Sequence, residues 1–175
     1  GNTSSEAKVT IQINKPDTKV TYADMEGDPA HKASIRLAEE GIFVGSYLNG
    51  EYFFDPDRPV TRAEFLTMAM ATVGMAPLED VTTTGFTDDA AIPTWAKAYA
   101  AAGVADGIIQ GVSTAEGVAF QGDEPITFNE AATVLNRVLA VEDVDLAGWY
   151  ADREAVPSWA AQAVGNMEAV SVLAA

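Results

Sequence analysis

From Phe65 to Val73 the chain reads FLTMAMATV, and from Ala131 to Leu139 it reads AATVLNRVL. Both stretches are apolar on nearly every helical face. That is the pattern of helices covered on all sides, so both are expected at the centre of an assembly. Their starts are marked alike. Thr61 and Glu64, and again Thr127 and Glu130, stand at capping-box spacing. In that arrangement the hydroxyl accepts from the N–H three residues on, and the carboxylate reaches back to the cap N–H. Pro59 and Pro125 hold the entering chain extended until the cap is reached. These second helices are predicted over 62–73 and 128–139. Ahead of them, first helices are predicted over 29–40, 93–105 and 157–170, each with a proline near its start. Asn49-Gly50, between YL and EYFF, is a strong two-residue hairpin signal. Near the beginning VTIQI alternates as a half-buried strand does, and Lys15-Pro16-Asp17 reads as a turn.

The elements recur. RPVTRAEFL, starting at Arg58, returns sixty-six positions later as EPITFNEAA, starting at Glu124. Gly41 to Gly45 returns as Gly107 to Gly111, Phe54 as Phe120 and Asp57 as Asp123. An aromatic-x-Asp entry opens each unit at Tyr22, Phe86 and Tyr150, at intervals of sixty-four. The two-residue difference is taken up by a short insertion, Ala91-Ile92-Pro93, before the first helix of the second unit. Trp95 and Trp159 follow their aromatics at one fixed spacing. A repeat of this length means stacked supersecondary units sharing a core. One residue breaks the register: Arg62 is answered by Phe128. Nothing in a helix start demands arginine at its first position, where positive charge slightly opposes the helix dipole. Arg62 is therefore the residue whose presence asks for a functional reason.

Composition narrows the partners. The chain has 175 residues and 48% hydrophobic content, enough for one domain with a real core or for several small stacked modules. Ten basic residues against 26 acidic ones leave a net charge of −16, which should repel nucleic acid and anionic membrane surfaces. An anionic ligand would need a locally basic pocket. No apolar run approaches membrane-span length and no signal peptide is visible, so a targeting segment is expected to have been removed or to lie upstream. Cysteine is absent, which excludes disulfides and thiolate metal sites.

The aromatic-x-Asp opening, WAKAYAAAGVADGIIQG, FDPDRPVTRAEF and the TRAE helix entry together resemble the S-layer homology (SLH) domain, over about residues 21–175. The first unit carries the most specific motif, the second has TFNE in place of TRAE, and the third matches only through its first helix. The resemblance implies an all-α, mainly helical class: a pseudo-threefold repeat bundle with short loop hairpins, here with an N-terminal extended arm. It divides the chain into a tail over 1–20, repeats over 21–80 and 81–146, and a partial repeat over 147–175. It implies a non-catalytic module that tethers an exported protein to the bacterial surface by binding secondary cell-wall polysaccharide, often through pyruvylated sugars. A degenerate module acting in protein–protein contact or scaffolding is the alternative. In the family the TRAE arginine touches ligand, so Arg62 takes that role by resemblance, with Thr61 and Glu64 beside it. A guanidinium can grip a pyruvate carboxylate with two parallel hydrogen bonds, and unpaired helix N–H groups would point the same way. Phe128 offers neither charge nor donor but can stack on a sugar, as can Trp95.

Other candidates carry less. Trp95 and Trp159 read as pegs between helix and loop, Tyr22, Phe86 and Tyr150 as packing anchors, and Asp24, Asp88 and Asp152 as local turn or cap acceptors. His31, the single histidine, suits a helix start, and Asp55-Pro56-Asp57 suits a turn. Asp143, Asp145, Gly148 and Glu154 fall at calcium-loop spacing, but Ala147 and Ala151 occupy ligand positions. No nucleophile–histidine–acid set, phosphate cradle or metal motif appears, so no catalytic residue, metal or cofactor is expected. The two apolar second helices lack a third to cover them. Cover is expected from the N-terminal arm, from a second chain in a homodimer, or from sequence beyond Ala175.

Overall fold

The computed structural model describes residues 19–147 and 155–173. The chain divides into two compact units, Gly1–Arg58 and Pro59–Ala175. The first unit holds one helix, α1 (His31–Glu39), and a hairpin of β1 (Ser46–Leu48) and β2 (Glu51–Phe53). The strands pair antiparallel with Tyr47 opposite Tyr52 and Leu48 opposite Glu51. The loop is the expected Asn49-Gly50, both residues at positive φ as a type I′ turn requires. Val20, Tyr22, Met25 and Ala38 form the core of this unit, with Ile35, Tyr52 and Phe54 packed around them.

The second unit holds α2 (Arg62–Thr72), α3 (Thr94–Ala105), β3 (Val112–Thr114), β4 (Gly117–Ala119), α4 (Phe128–Leu139) and α5 (Ser158–Ala169). Every predicted helix forms within about two residues of its expected ends. Both capping boxes close, with Thr61 and Thr127 each accepting from the N3 amide while the N3 glutamate returns to the cap N–H. Leu66, Ala69 and Met70 of α2 join Ala96 and Ala100 of α3, Phe86 and Phe120 in one buried cluster. Ala132 of α4 and Ala160, Val164 and Met167 of α5 form another. So α2 is the central helix its pattern predicts. For α4 that expectation holds only in part, because Phe128 and Leu139 are exposed.

The all-α class is wrong. Among the described residues there are five α-helices and two antiparallel two-stranded sheets, a mixed helix-and-sheet class. The short loop hairpins that the resemblance implies are these sheets, and the first is marked in the sequence by its Asn49-Gly50 turn. The second, with Ser113 opposite Val118, lacks an Asn-Gly turn and is held instead by Thr114, whose hydroxyl accepts from Glu116 N–H and donates to the Gly117 carbonyl. Gly111 closes this hairpin as Gly45 closes the first. At Gly111 φ is +79° and a Cβ would lie 2.6 Å from both Phe86 and Val118, so only glycine fits. The VTIQI arm, Tyr150, Asp152, Gly148 and Glu154 lie outside the described residues.

Polar ties fasten the loops to the helices. Lys97 on α3 donates to Asp89 at 2.7 Å, and Asp89 also accepts from the Thr84 N–H and hydroxyl. The Lys97 hydrogen bond first, then those from Thr84, hold the Asp89 carboxyl down to about 2. A depressed carboxylate stabilises the fold above its unfolded value of about 4 and stops doing so as pH falls toward its folded value. Asp89→Asn should therefore melt below the parent at neutral pH, and the gap should close between about pH 4 and pH 2. A gap that ignores pH in melting curves would mean the charge contributes nothing.

Candidate functional site

The residues that mark the first two repeats form a clamp. Asp24 accepts from the N–H groups of Phe54 and Asp55 at 2.9 and 2.7 Å, and Asp88 accepts from those of Phe120 and Gln121 at 2.8 Å each. These acceptors reach about thirty residues along the chain, so they are not the local turn or cap acceptors expected from sequence. Burial alone would raise the Asp24 carboxyl, but the amides of Phe54 and Asp55 outweigh it and hold it below its ordinary value. The aromatics pack as anchors should, Tyr22 edge-on to Phe54 and Phe86 stacked on Phe120. Burial, then the Asp24 charge, pushes the Tyr22 hydroxyl up to about 12, and it donates to the Val44 carbonyl.

Each clamp shapes a concavity beside the Phe-x-x-Asp loop. One of about 660 Å³ is lined by Asp24, Asp55, Pro56, Asp57 and Arg58. The other, of about 210 Å³, is lined by Asp88, Ile92, Gln121, Asp123 and Glu124 among others. Arg58 and Glu124 occupy the same repeat position, so the first concavity carries a cation where the second carries an acid. Sequence reasoning passed over Arg58, although the comparison of RPVT with EPIT displays the change of sign.

Thr61, Arg62 and Glu64 come together at the start of α2, docked against the loop over 120–126. Thr61 and Pro125 form a short antiparallel bridge. The Arg62 N–H donates to the Glu124 carbonyl at 2.9 Å and the Ala63 N–H to that of Gly122 at 3.0 Å. With the Glu64 N–H taken by Thr61, the three leading amides of α2 are all engaged. The expected unpaired N–H groups beside Arg62 are absent for that reason. The Arg62 side chain is engaged as well. Its Nε donates to the Phe120 carbonyl at 3.2 Å, and Nη1 donates to Glu130 Oε1 at 2.6 Å. The two charged side chains are only 14% and 29% exposed. Glu130 in turn uses its other oxygen to cap α4 at the Thr127 N–H, 2.9 Å away. Arg62 therefore ties the helix entry of one repeat to the capping box of the next. Its remaining nitrogen, Nη2, makes no hydrogen bond among the described residues.

The other candidates sit elsewhere. Phe128, at the first position of α4, is 61% exposed and takes no part in the junction. Trp95 is half-buried against the α2–α3 core, as a peg should be. Trp159 is 60% exposed, so the peg reading fails there. His31 opens α1, as expected. Asp143 accepts from Asn166 and Asp145 from the nearby Ala147 N–H, so each has a structural task in place of the calcium-loop role. No cluster of metal-ligating side chains occurs among the described residues.

The family model for the S-layer homology domain matches residues 28–66 and 85–132, the two segments that carry the Gly-bounded hairpin and the capped helix entry, the second with its Asp88 clamp as well. The chain belongs to the S-layer homology family. SLH domains are generally non-catalytic modules that anchor proteins to the cell wall by binding secondary cell-wall polymer, and proteins carrying them are typically wall- or surface-associated. The matched residues do not include α5. No curated protein matches the chain. The first SLH match runs across the boundary between the two compact units, because its capped helix α2 packs in the core of the second.

Proposed function

We propose that this chain anchors an exported protein to the bacterial cell surface by holding an acidic, pyruvylated secondary cell-wall polysaccharide, with Arg62 as a ligand contact. Repeats over 21–80 and 81–146, with a partial third over 147–175, are the working division. The pair of SLH matches carries this reading, and Arg62 adds to it as the arginine of the single TRAE motif. Nη2 is the nitrogen left for a sugar carboxylate. Thr61 and Glu64 hold the guanidinium in place through the cap, while Phe128 offers a stacking face and Trp95 backs the neighbouring helix. Arg62→Lys keeps a cation for Glu130 but loses the planar fork. Its isotherm on polymer-bearing sacculi, taken at a temperature where the variant is fully folded, should weaken by about tenfold. Equal binding by Arg62→Lys would remove Arg62 from the site.

A second reading rests on the Arg62–Glu130 bond itself. If the guanidinium serves only to join the repeats, the module is degenerate and works as a protein–protein or scaffolding element. It would then show no polymer-dependent retention on sacculi.

A further inference from the structure

The two hairpins share one register but carry different side chains at the paired positions. In the second, Ser113 faces Val118; in the first, Tyr47 faces Tyr52 in the identical register. The second hairpin forms without an aromatic at either position, so the first does not need Tyr47 in order to fold. Tyr47 is not core either, being 63% exposed. Tyr52, by contrast, packs its ring on the core of the first unit and carries Tyr47 on it, with ring centroids 4.7 Å apart. The result is a bent aromatic plate, its two rings tilted by 49°, with one member anchored and the other presented to solvent.

The plate borders a concavity of about 410 Å³ whose lining adds Lys19, Thr21 and Glu51 to the two tyrosines. Its size falls within the range of small-ligand sites, and its lining is mainly polar, which suits a hydroxylated ligand. Aromatic rings with one apolar face and a polar tip suit a partner that is apolar on one side and hydroxylated at its edge. A pyranose ring has that shape. Lys19 supplies a cation for an acidic substituent in a chain whose net charge is −16.

We propose that the Tyr47–Tyr52 plate is a second sugar subsite, taking one pyranose of the wall polymer against Tyr47, with its hydroxyls toward Thr21 and Glu51 and a carboxylate substituent toward Lys19. The subsite rests on the anchoring function proposed above and adds a contact to it within the first unit. Tyr47→Ser installs the residue that stands at position 113, so the hairpin keeps its fold. On polymer-bearing sacculi this variant should bind about three- to tenfold more weakly than the parent, and Tyr47→Trp should restore binding. Melting temperature should fall by only a few degrees in Tyr47→Ser, through loss of the cross-strand ring contact, and both variants should be fully folded at the assay temperature. Equal retention of parent and Tyr47→Ser overturns the subsite while leaving the anchoring function standing. A parent that sacculi do not retain overturns both. If Tyr47→Ser leaves retention unchanged but alters the oligomeric state in light scattering, the plate is a protein contact and the sugar subsite is wrong.

Discussion

Replacing Arg62 with alanine should destabilise the protein by about 2–3 kcal/mol, seen as a fall on the order of 10 °C in the melting temperature of the second unit. The reason is the company the side chain keeps. Its removal leaves Glu130 largely buried without its cation, and the Phe120 carbonyl without its donor. Breaking a fully buried pair costs about 3–5 kcal/mol, and the partial exposure of Glu130 reduces that figure. The sequence pattern suggests the opposite outcome, an intact fold, because Thr61 and Glu64 cap the helix on their own. The cap does close, but the arginine has a second task across the repeats. A double-mutant cycle with Glu130→Ala separates the two contributions: the coupling should exceed about 1 kcal/mol, as for contacting charged residues. Coupling near zero would mean that the bond contributes nothing measurable.

Asn166→Ala should cost more, about 3–4 kcal/mol. Asn166 is fully buried on α5, and all four of its hydrogen-bonding positions are used. Its oxygen accepts from the Val144 N–H at 3.0 Å and from Gln162 at 2.9 Å. Its nitrogen donates to Asn136 at 2.9 Å and to Asp143 at 3.1 Å. One amide thus joins α5 to α4 and to the segment that follows α4. Alanine would leave several buried partners unsatisfied at once, where each lost hydrogen bond costs about 1 kcal/mol net and an orphaned group costs more. Chemical denaturation of the variant gives the value directly, and a loss below about 1 kcal/mol would mean that water replaces the amide.

Which of these features the sequence displays follows from how far apart the partners lie. The capping boxes, the helix spans and the Asn49-Gly50 turn depend on residues within one turn of chain, and their patterns were legible. The clamp between Asp24 and the amides of Phe54 and Asp55, and the pairing of Arg62 with Glu130, join residues about thirty and nearly seventy positions apart. No local pattern distinguishes an aspartate that caps its own turn from one that reaches a loop in the same repeat. Arg62 interrupts the repeat, which marks the junction in the sequence but not the partner. A clue was present: Glu130 is preserved in register where the arginine is not, and a buried cation needs an acid. The all-α class failed because the hairpins are three residues a side, and the second has Ala115-Glu116 where an Asn-Gly pair would have advertised it. Trp159 failed as a core peg because proline spacing says where a helix begins, not what covers its first turn.

Cell-wall anchoring is tested most directly by sedimentation of the parent protein with purified sacculi, before and after their secondary polysaccharide is stripped away. The account predicts that the protein pellets with polymer-bearing sacculi and stays in the supernatant with stripped ones. Its retention should fall as released polysaccharide is added in solution. Equal pelleting with both preparations, or with neither, would contradict it.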